Sequence, residues 1–316
     1  MKKLLITRAL PDANLAFARA RYDVTMRETA EGLTVAEAAA ALADYDAILP
    51  TLGDQFTADA FGGGSRCGVL ANFGVGYNHI DVAAAAKAGV AVSNTPDVVT
   101  DATADIGLTL ILSTCRRAGE GERLVRADKW TGWGPTQMLG THVTGKTIGI
   151  VGMGRIGQAV ARRCHYGFEM PVLYYNRSRK AVDLPAQQVD SLGDLMAQSD
   201  IVVVTVPGGG ANTHLIDATA LAAMKPTGIF VNIARGDVVD EDALIAALQS
   251  GQIAGAGLDV FAQEPIVPDA FRAMENVVLL PHLGTAALEV REAMGQMALD
   301  NIVAWEEGRP LPQGVN

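Results

Sequence analysis

Short apolar runs alternate with alanine-rich helical stretches along this chain, and that alternation restricts the fold more than any other feature. Candidate strands at 4–7, 46–50, 69–71 and 90–93 are separated by helix-like segments such as 35–42 and 82–88. Cleaner strands follow at 147–151, 172–176, 201–206, 228–233, 254–258 and 277–280. Strand-helix alternation with short links implies parallel sheets covered on both faces. The character changes around 95–145, where a helix starting at the N-cap pair Thr100-Asp101 runs to about Arg117 and a loop with Trp130 and Trp133 follows. A last helix spans 288–307 and is stopped by Gly308 and Pro310. The fold class expected is α/β, with two doubly wound parallel-sheet units. A length of 316 residues fits two domains at ~150 residues each.

Composition narrows the function classes. Lys plus Arg is 25 and Asp plus Glu is 35, a net charge of −10 that repels phosphate backbones and argues against nucleic-acid binding. No apolar run reaches the ~18–20 residues of a membrane helix. Arg8 cuts short the apolar start at Leu4-Leu5-Ile6, so a signal peptide is not expected and a cytoplasmic location is. Cys67, Cys115 and Cys164 are odd in number and far apart, which suits a reducing compartment and argues against a disulfide framework. No spacing resembles a metal site.

The strongest motif is Gly152-Met153-Gly154-Arg155-Ile156-Gly157. It follows the apolar strand at 147–151 and opens an amphipathic stretch, the context a dinucleotide fingerprint requires. Gly152 permits a tight turn, Gly154 lets backbone approach a pyrophosphate, and Gly157 lets helix and strand pack closely. The helix amides of Arg155 and Ile156 then face phosphate. An NAD-preferring site places Asp or Glu ~20 residues further on. Here stands Asn176, followed by Arg177-Ser178-Arg179-Lys180. Guanidinium forks bind a 2′-phosphate, which a carboxylate repels, so the reading is NADP(H), with Arg177, Ser178 and Asn176 at the phosphate. A solvated basic loop is the plainer alternative.

The later strands end in reactive residues: Arg235 after 228–233, Asp259 and Glu264 after 254–258, and His282 after 277–280. In a parallel sheet the ligand crevice lies at the carboxyl ends of strands, so these residues can converge. Arg grips a carboxylate and polarises a carbonyl. A protonated His donates a proton as hydride arrives. A carboxylate against the other imidazole nitrogen fixes the tautomer and favours the charged form. Singly, Arg235 could cap a helix, Glu264 could lie on a surface loop, and His282 could be a turn histidine. Their joint occurrence behind a glycine loop favours chemistry. Trp130 and Trp133 could plug a core, wall a pocket or form a subunit contact. His79 lies in a candidate loop and could touch substrate.

Together these residues resemble the D-isomer-specific 2-hydroxyacid dehydrogenase family. The resemblance runs through Asn72-Phe73-Gly74-Val75-Gly76-Tyr77-Asn78-His79-Ile80-Asp81, the Gly152–Gly157 turn, Asn232-Ile233-Ala234-Arg235-Gly236, Gly257-Leu258-Asp259-Val260-Phe261 with Glu264-Pro265, and Pro281-His282-Leu283-Gly284. Within the family the chain is most similar to NADPH-dependent glyoxylate/hydroxypyruvate reductases, through Asn176-Arg177-Ser178. The resemblance implies a Rossmann cofactor domain, 98–285, inserted into a flavodoxin-like substrate domain, 1–97 plus 286–316. It implies a catalytic Arg235, Glu264 and His282, with Leu52, Val75, Gly76 and Trp133 completing the substrate contacts. Thr103, Pro207, Ile233, Asp259 and Gly284 match cofactor-side positions, Asp259 as acceptor for the nicotinamide carboxamide. It also implies a homodimer, in which Trp133 reaches the partner's active site. The chain departs from the family pattern at Gly208-Gly209-Gly210, at His79 and at Ala287. The expected activity is hydride transfer from NADPH to a small 2-keto acid such as glyoxylate or hydroxypyruvate, giving the D-2-hydroxy acid. Alternatives are a bulkier keto acid, phenylpyruvate-type or 2-ketosugar acid, or a nucleotide-sensing interaction protein without turnover.

Overall fold

The structure is a computed structural model and describes residues 1–316. The chain divides into two compact units, residues 1–99 with 285–316, and residues 100–284.

The first unit holds five strands: β1 (Lys3–Ile6), β2 (Asp23–Met26), β3 (Ala47–Leu49), β4 (Val69–Ala71) and β5 (Ala91–Ser93). They form one parallel sheet in the order β2-β1-β3-β4-β5. This is the flavodoxin-like order. The helix Leu288–Glu306 belongs to this unit, where Ala298, Leu299 and Ile302 pack with Leu4, Ile6, Leu49 and Val69.

The second unit holds seven: β6 (Ile148–Val151), β7 (Val172–Tyr175), β8 (Ala186–Gln188), β9 (Ile201–Val204), β10 (Ile229–Asn232), β11 (Gly255–Leu258) and β12 (Val277–Leu279). All pair in parallel, in the order β12-β11-β10-β9-β6-β7-β8. Every residue of β6, β9, β10 and β11 is buried, which is why these strands read as unbroken apolar runs. Each Val, Ile or Leu so buried contributes roughly 1.5–3 kcal/mol. The chain leaves β6 toward β7 and β8 on one side, then returns to build β9 to β12 on the other. The strand order therefore reverses between β6 and β9, the switch point at which such sheets bind ligands.

Four expectations need correcting. β2 and β8 are strands that the pattern of apolar runs did not reveal. Thr100 is the first residue of the helix Thr100–Cys115, so Thr100 and Asp101 lie in its first turn and do not precede it. A separate helix, Ala118–Arg126, follows a left-handed Arg117 (φ 52°) and buries none of its residues. Trp130 and Trp133 plug no core, since both are exposed, Trp133 by 83%. Cys67, Cys115 and Cys164 are buried free thiols. No helix is long and apolar enough to cross a membrane.

Candidate active site

The glycine turn joins β6 to the helix Arg155–Phe168. Gly152 has φ 101°, and a Cβ there would stand 2.7 Å from Val206 Cγ1 and 3.0 Å from the Val206 amide nitrogen. Both the conformation and the space demand glycine. Gly157 sits one helical turn on, where a Cβ would lie 2.2 Å from the Gly152 carbonyl oxygen. Helix and strand touch here through backbone. Thr205 Oγ1 donates to Gly152 O at 2.6 Å and holds the turn to the end of β9. Gly154 differs: a side chain there would meet nothing within 4 Å. It is the helix N-cap residue and supplies no side-chain cap to the first helical turn. An open approach over backbone, with helix amides uncapped, fits a pyrophosphate.

The loop after β7 is built from Asn176 outward. Asn176 Nδ2 donates to Ser178 O at 2.8 Å, and Gln188 Nε2 on β8 donates to Asn176 O at 2.9 Å. Arg177, Ser178 and Arg179 are exposed. The loop is thus braced at its base, with its cations free to face an anion and no carboxylate at Asn176.

The carboxyl ends of β10, β11 and β12 carry the other group. Arg235 follows β10 in an extended conformation. Its turn is tied by Asn232, which is buried: Nδ2 donates to Arg235 O at 2.9 Å, and Oδ1 accepts from Ala234 N at 3.0 Å. Arg235 Nη1 donates to Ala234 O at 2.7 Å, while Nε is buried and has no partner within the chain. Burial lowers the guanidinium's pKa from its ordinary value, against the charges of Glu264 and Asp237, which favour the cation. A half-buried cation with a buried donor to spare suits an incoming anion.

Glu264 and His282 form a pair. Glu264 Oε2 lies 2.7 Å from His282 Nδ1, and Oε1 accepts from Phe261 N at 3.0 Å. A carboxylate only accepts, so Nδ1 carries the hydrogen and Nε2 is the nitrogen left for chemistry. Burial pushes the Glu264 carboxyl up, but the hydrogen bond and charge of His282, the Phe261 amide and Arg235 together hold it below its ordinary value. His282 itself has φ 54°. Asp259, 1% exposed, fixes that turn: its carboxylate accepts from Leu283 N at 2.7 Å and Gly284 N at 2.9 Å, and its carbonyl accepts from His282 N at 2.9 Å. Burial raises the pKa of the Asp259 carboxyl, more than these amides and the nearby His282 charge lower it.

The second unit therefore brings together Arg235, Glu264, His282 and Asp259. Thr103 joins them at Gly284, where a side chain would begin 3.4 Å from Asp259 Oδ2 and 3.4 Å from Thr103 Cγ2. Ile233 is buried and Pro207 exposed, both just beyond strand ends. Leu52, Val75 and Gly76 lie in the first unit, on loops beyond the carboxyl ends of β3 and β4, with Leu52 and Val75 exposed. Sequence reasoning gave no role to Asn232 or to Glu241, whose Oε1 accepts from Ala262 N at 2.9 Å beneath the Glu264 loop. A fully buried Asn closing an apolar strand was the available signal for the first. A cavity of about 780 Å³ opens at the amino ends of β10 to β12, lined by Cys115, Ile229 and Val277 among others, and holds none of the predicted residues.

A seven-stranded parallel sheet with a glycine turn at its switch point is a Rossmann-like NAD-binding domain. The chain belongs to the D-isomer specific 2-hydroxyacid dehydrogenase family: residues 108–284 match that family's NAD-binding domain. It is an oxidoreductase of that family, acting on CH–OH donors. It is 42% identical to a glyoxylate reductase of Thermococcus onnurineus and 41% identical to one of Pyrococcus furiosus, across 99% of this chain and 96% and 95% of theirs. A crystal structure of an NADPH-dependent glyoxylate/hydroxypyruvate reductase from Sinorhizobium meliloti, in complex with NADP and malonate, superposes with a TM-score of 0.89 at 34% identity, covering 99% of this chain and 96% of that one.

Proposed function

We propose that this protein is an NADPH-dependent reductase of small 2-keto acids, glyoxylate and hydroxypyruvate, yielding the D-2-hydroxy acid. The observation that carries the reading is the 2.7 Å pair of His282 and Glu264 in the same unit as a half-buried Arg235 whose buried Nε has no hydrogen-bond partner. In this reading Arg235 binds the substrate carboxylate and polarises the keto group. His282 Nε2 delivers a proton to the carbonyl oxygen as the C–H bond forms, and Glu264 stabilises the imidazolium that holds this proton before transfer. Bound NADPH supplies the hydride. The first-turn amides of Arg155 and Ile156 hold the pyrophosphate, with Gly152, Gly154 and Gly157 shaping the turn. Arg177, Ser178 and Asn176 hold the 2′-phosphate. Thr103, Pro207, Ile233 and Gly284 flank the nicotinamide. Each Asp259 oxygen keeps a second lone pair for the carboxamide.

Residues 98–285 act as the cofactor domain, and 1–97 with 286–316 as the substrate domain, where Leu52 and the backbone of Val75 and Gly76 contribute substrate contacts. The exposed apolar run Val125, Trp130, Trp133 and Leu139 supports a homodimer, with Trp133 as a substrate contact across it. Three buried free thiols suit the cytoplasm.

The test is initial-rate reduction of glyoxylate, hydroxypyruvate and phenylpyruvate, with NADPH and NADH side by side. Preferred turnover of the two small acids with NADPH supports the reading. Preference for phenylpyruvate, or equal use of NADH, overturns its substrate or its cofactor half.

A further inference from the structure

The Pro207-Gly208-Gly209-Gly210 segment, where the chain departs from the bulkier family pattern, lies directly on the Arg235 turn. A Cβ on Gly208 would stand 2.8 Å from Arg235 Cγ, 2.9 Å from Arg235 Cβ and 2.6 Å from Asp237 Oδ1. The backbone of the loop after β9 thus replaces a side chain as the wall against the arginine's stem. Gly209 and Gly210 both have left-handed φ, 77° and 56°. That pair of angles turns the Gly209 amide onto Asp237, and its N–H donates to Asp237 Oδ2 at 2.6 Å. The Asp237 carbonyl accepts from His214 N at 2.9 Å, at the far end of the same loop. Asn212 Nδ2 donates to Pro207 O at 2.9 Å and closes the loop on itself.

We propose that Asp237 is a positioning residue for Arg235, acting by clamping the triglycine loop against the arginine's stem. This rests on the reading of Arg235 as the substrate-carboxylate ligand. The guanidinium's own hydrogen bond is to the neighbouring Ala234 carbonyl, which constrains the stem little. A long side chain held loosely would lose its rotamer freedom at each binding event. Contact with the Gly208 backbone removes this freedom in advance. The contact persists only while the loop stays down, and the Asp237 carboxylate is what holds it. Two left-handed glycines would otherwise leave the loop free to lift. The clamp acts on binding of the acid. Hydride and proton delivery use other groups.

The experiment compares Asp237→Ala, Asp237→Asn, Gly208→Ala and Arg235→Ala in glyoxylate reduction with NADPH, with melting temperatures taken alongside. Asp237→Ala is expected to raise KM for glyoxylate about tenfold with kcat changed less than about threefold and KM for NADPH unmoved. Asp237→Asn keeps an oxygen that accepts from Gly209 and is expected to recover most of that loss. Gly208→Ala, which pushes on the arginine from the loop side, is expected to raise KM in the same way and tests the clamp even where Asp237→Ala folds poorly. An unchanged KM in Asp237→Ala or Gly208→Ala, or no recovery with Asp237→Asn, overturns the proposal. Arg235→Ala separates the two levels: retained turnover there sinks the carboxylate reading itself, whereas lost turnover beside a silent Asp237→Ala sinks the clamp alone.

Discussion

His282 Nδ1 is 2.7 Å from Glu264 Oε2, and the other oxygen of that carboxylate is held by the Phe261 amide. Replacing Glu264 by Gln keeps the shape and removes the charge. Turnover should fall by about 10²-fold, the usual scale for acid–base catalysis. The pH dependence of stability carries a sign. The Glu264 carboxyl titrates below its ordinary value: burial pushes it up, but the hydrogen bond and charge of His282, the Phe261 amide and Arg235 together outweigh that. Its stabilising contribution is therefore complete above about pH 4.3 and disappears as pH falls through the lower folded-state value. Melting temperatures of wild type and Glu264→Gln between pH 3 and 6 should converge at the acid end. A gap that stays constant would refute this account of the pair.

Gly154 and Gly157 differ by three positions and should respond oppositely to alanine. At Gly157 a Cβ meets a carbonyl oxygen at 2.2 Å, and Gly157→Ala should cost about 1–3 kcal/mol of stability. At Gly154 nothing stands within 4 Å, so Gly154→Ala should melt within about 0.5 kcal/mol of wild type. It should nonetheless raise KM for NADPH about tenfold, since the methyl occupies the path of the pyrophosphate. Thermal melts and cofactor titration together decide it; tight NADPH binding by Gly154→Ala would argue against that path.

The cofactor preference can be reversed locally. Arg177→Ala should weaken NADPH by about tenfold, the loss of a charge-assisted bond, and leave NADH nearly unchanged. Asn176→Asp should improve NADH use, because an acceptor then faces the ribose hydroxyl. Equal effects on both cofactors would mean that this loop does not read the 2′-phosphate.

Burial pushes the thiols of Cys67 and Cys164 up to about 12 and that of Cys115 to about 11. At pH 8 the most acidic of them is ionised to about one part in a thousand. Iodoacetamide should leave the native protein unmodified over an hour and alkylate all three cysteines in denaturant, as read by intact mass. A labelled native thiol would show that one of these sites opens.

The strands that the apolar pattern failed to reveal, β2 and β8, are the outermost strands of their sheets. Each alternates exposed with half-buried residues, Asp23-Val24-Thr25-Met26 and Ala186-Gln187-Gln188. Having a neighbour on one edge only, they need no continuous apolar run. The central strands, buried on all sides, announced themselves. The same holds at the site. Arg235 and Glu264 were legible because reactive types follow such strands, and His282 because β12, although outermost, still reads as the apolar run Val277-Val278-Leu279. The partners that hold them were not: Asn232, Asp237 and Glu241 act through contacts between loops that lie far apart in sequence or through backbone amides. The Ala118–Arg126 helix buries nothing and so left no apolar period to read.

The helix Leu288–Glu306 returns to cover the sheet that begins at Lys3. During synthesis residues 100–284, a contiguous unit, are all made before this helix. The amino-terminal sheet, although made first, must wait with the faces of Leu4, Ile6 and Val69 uncovered until the last segment emerges. The inserted unit is thus free to finish first, and the earliest residues of the chain are the ones most exposed to chaperones and to aggregation while translation proceeds.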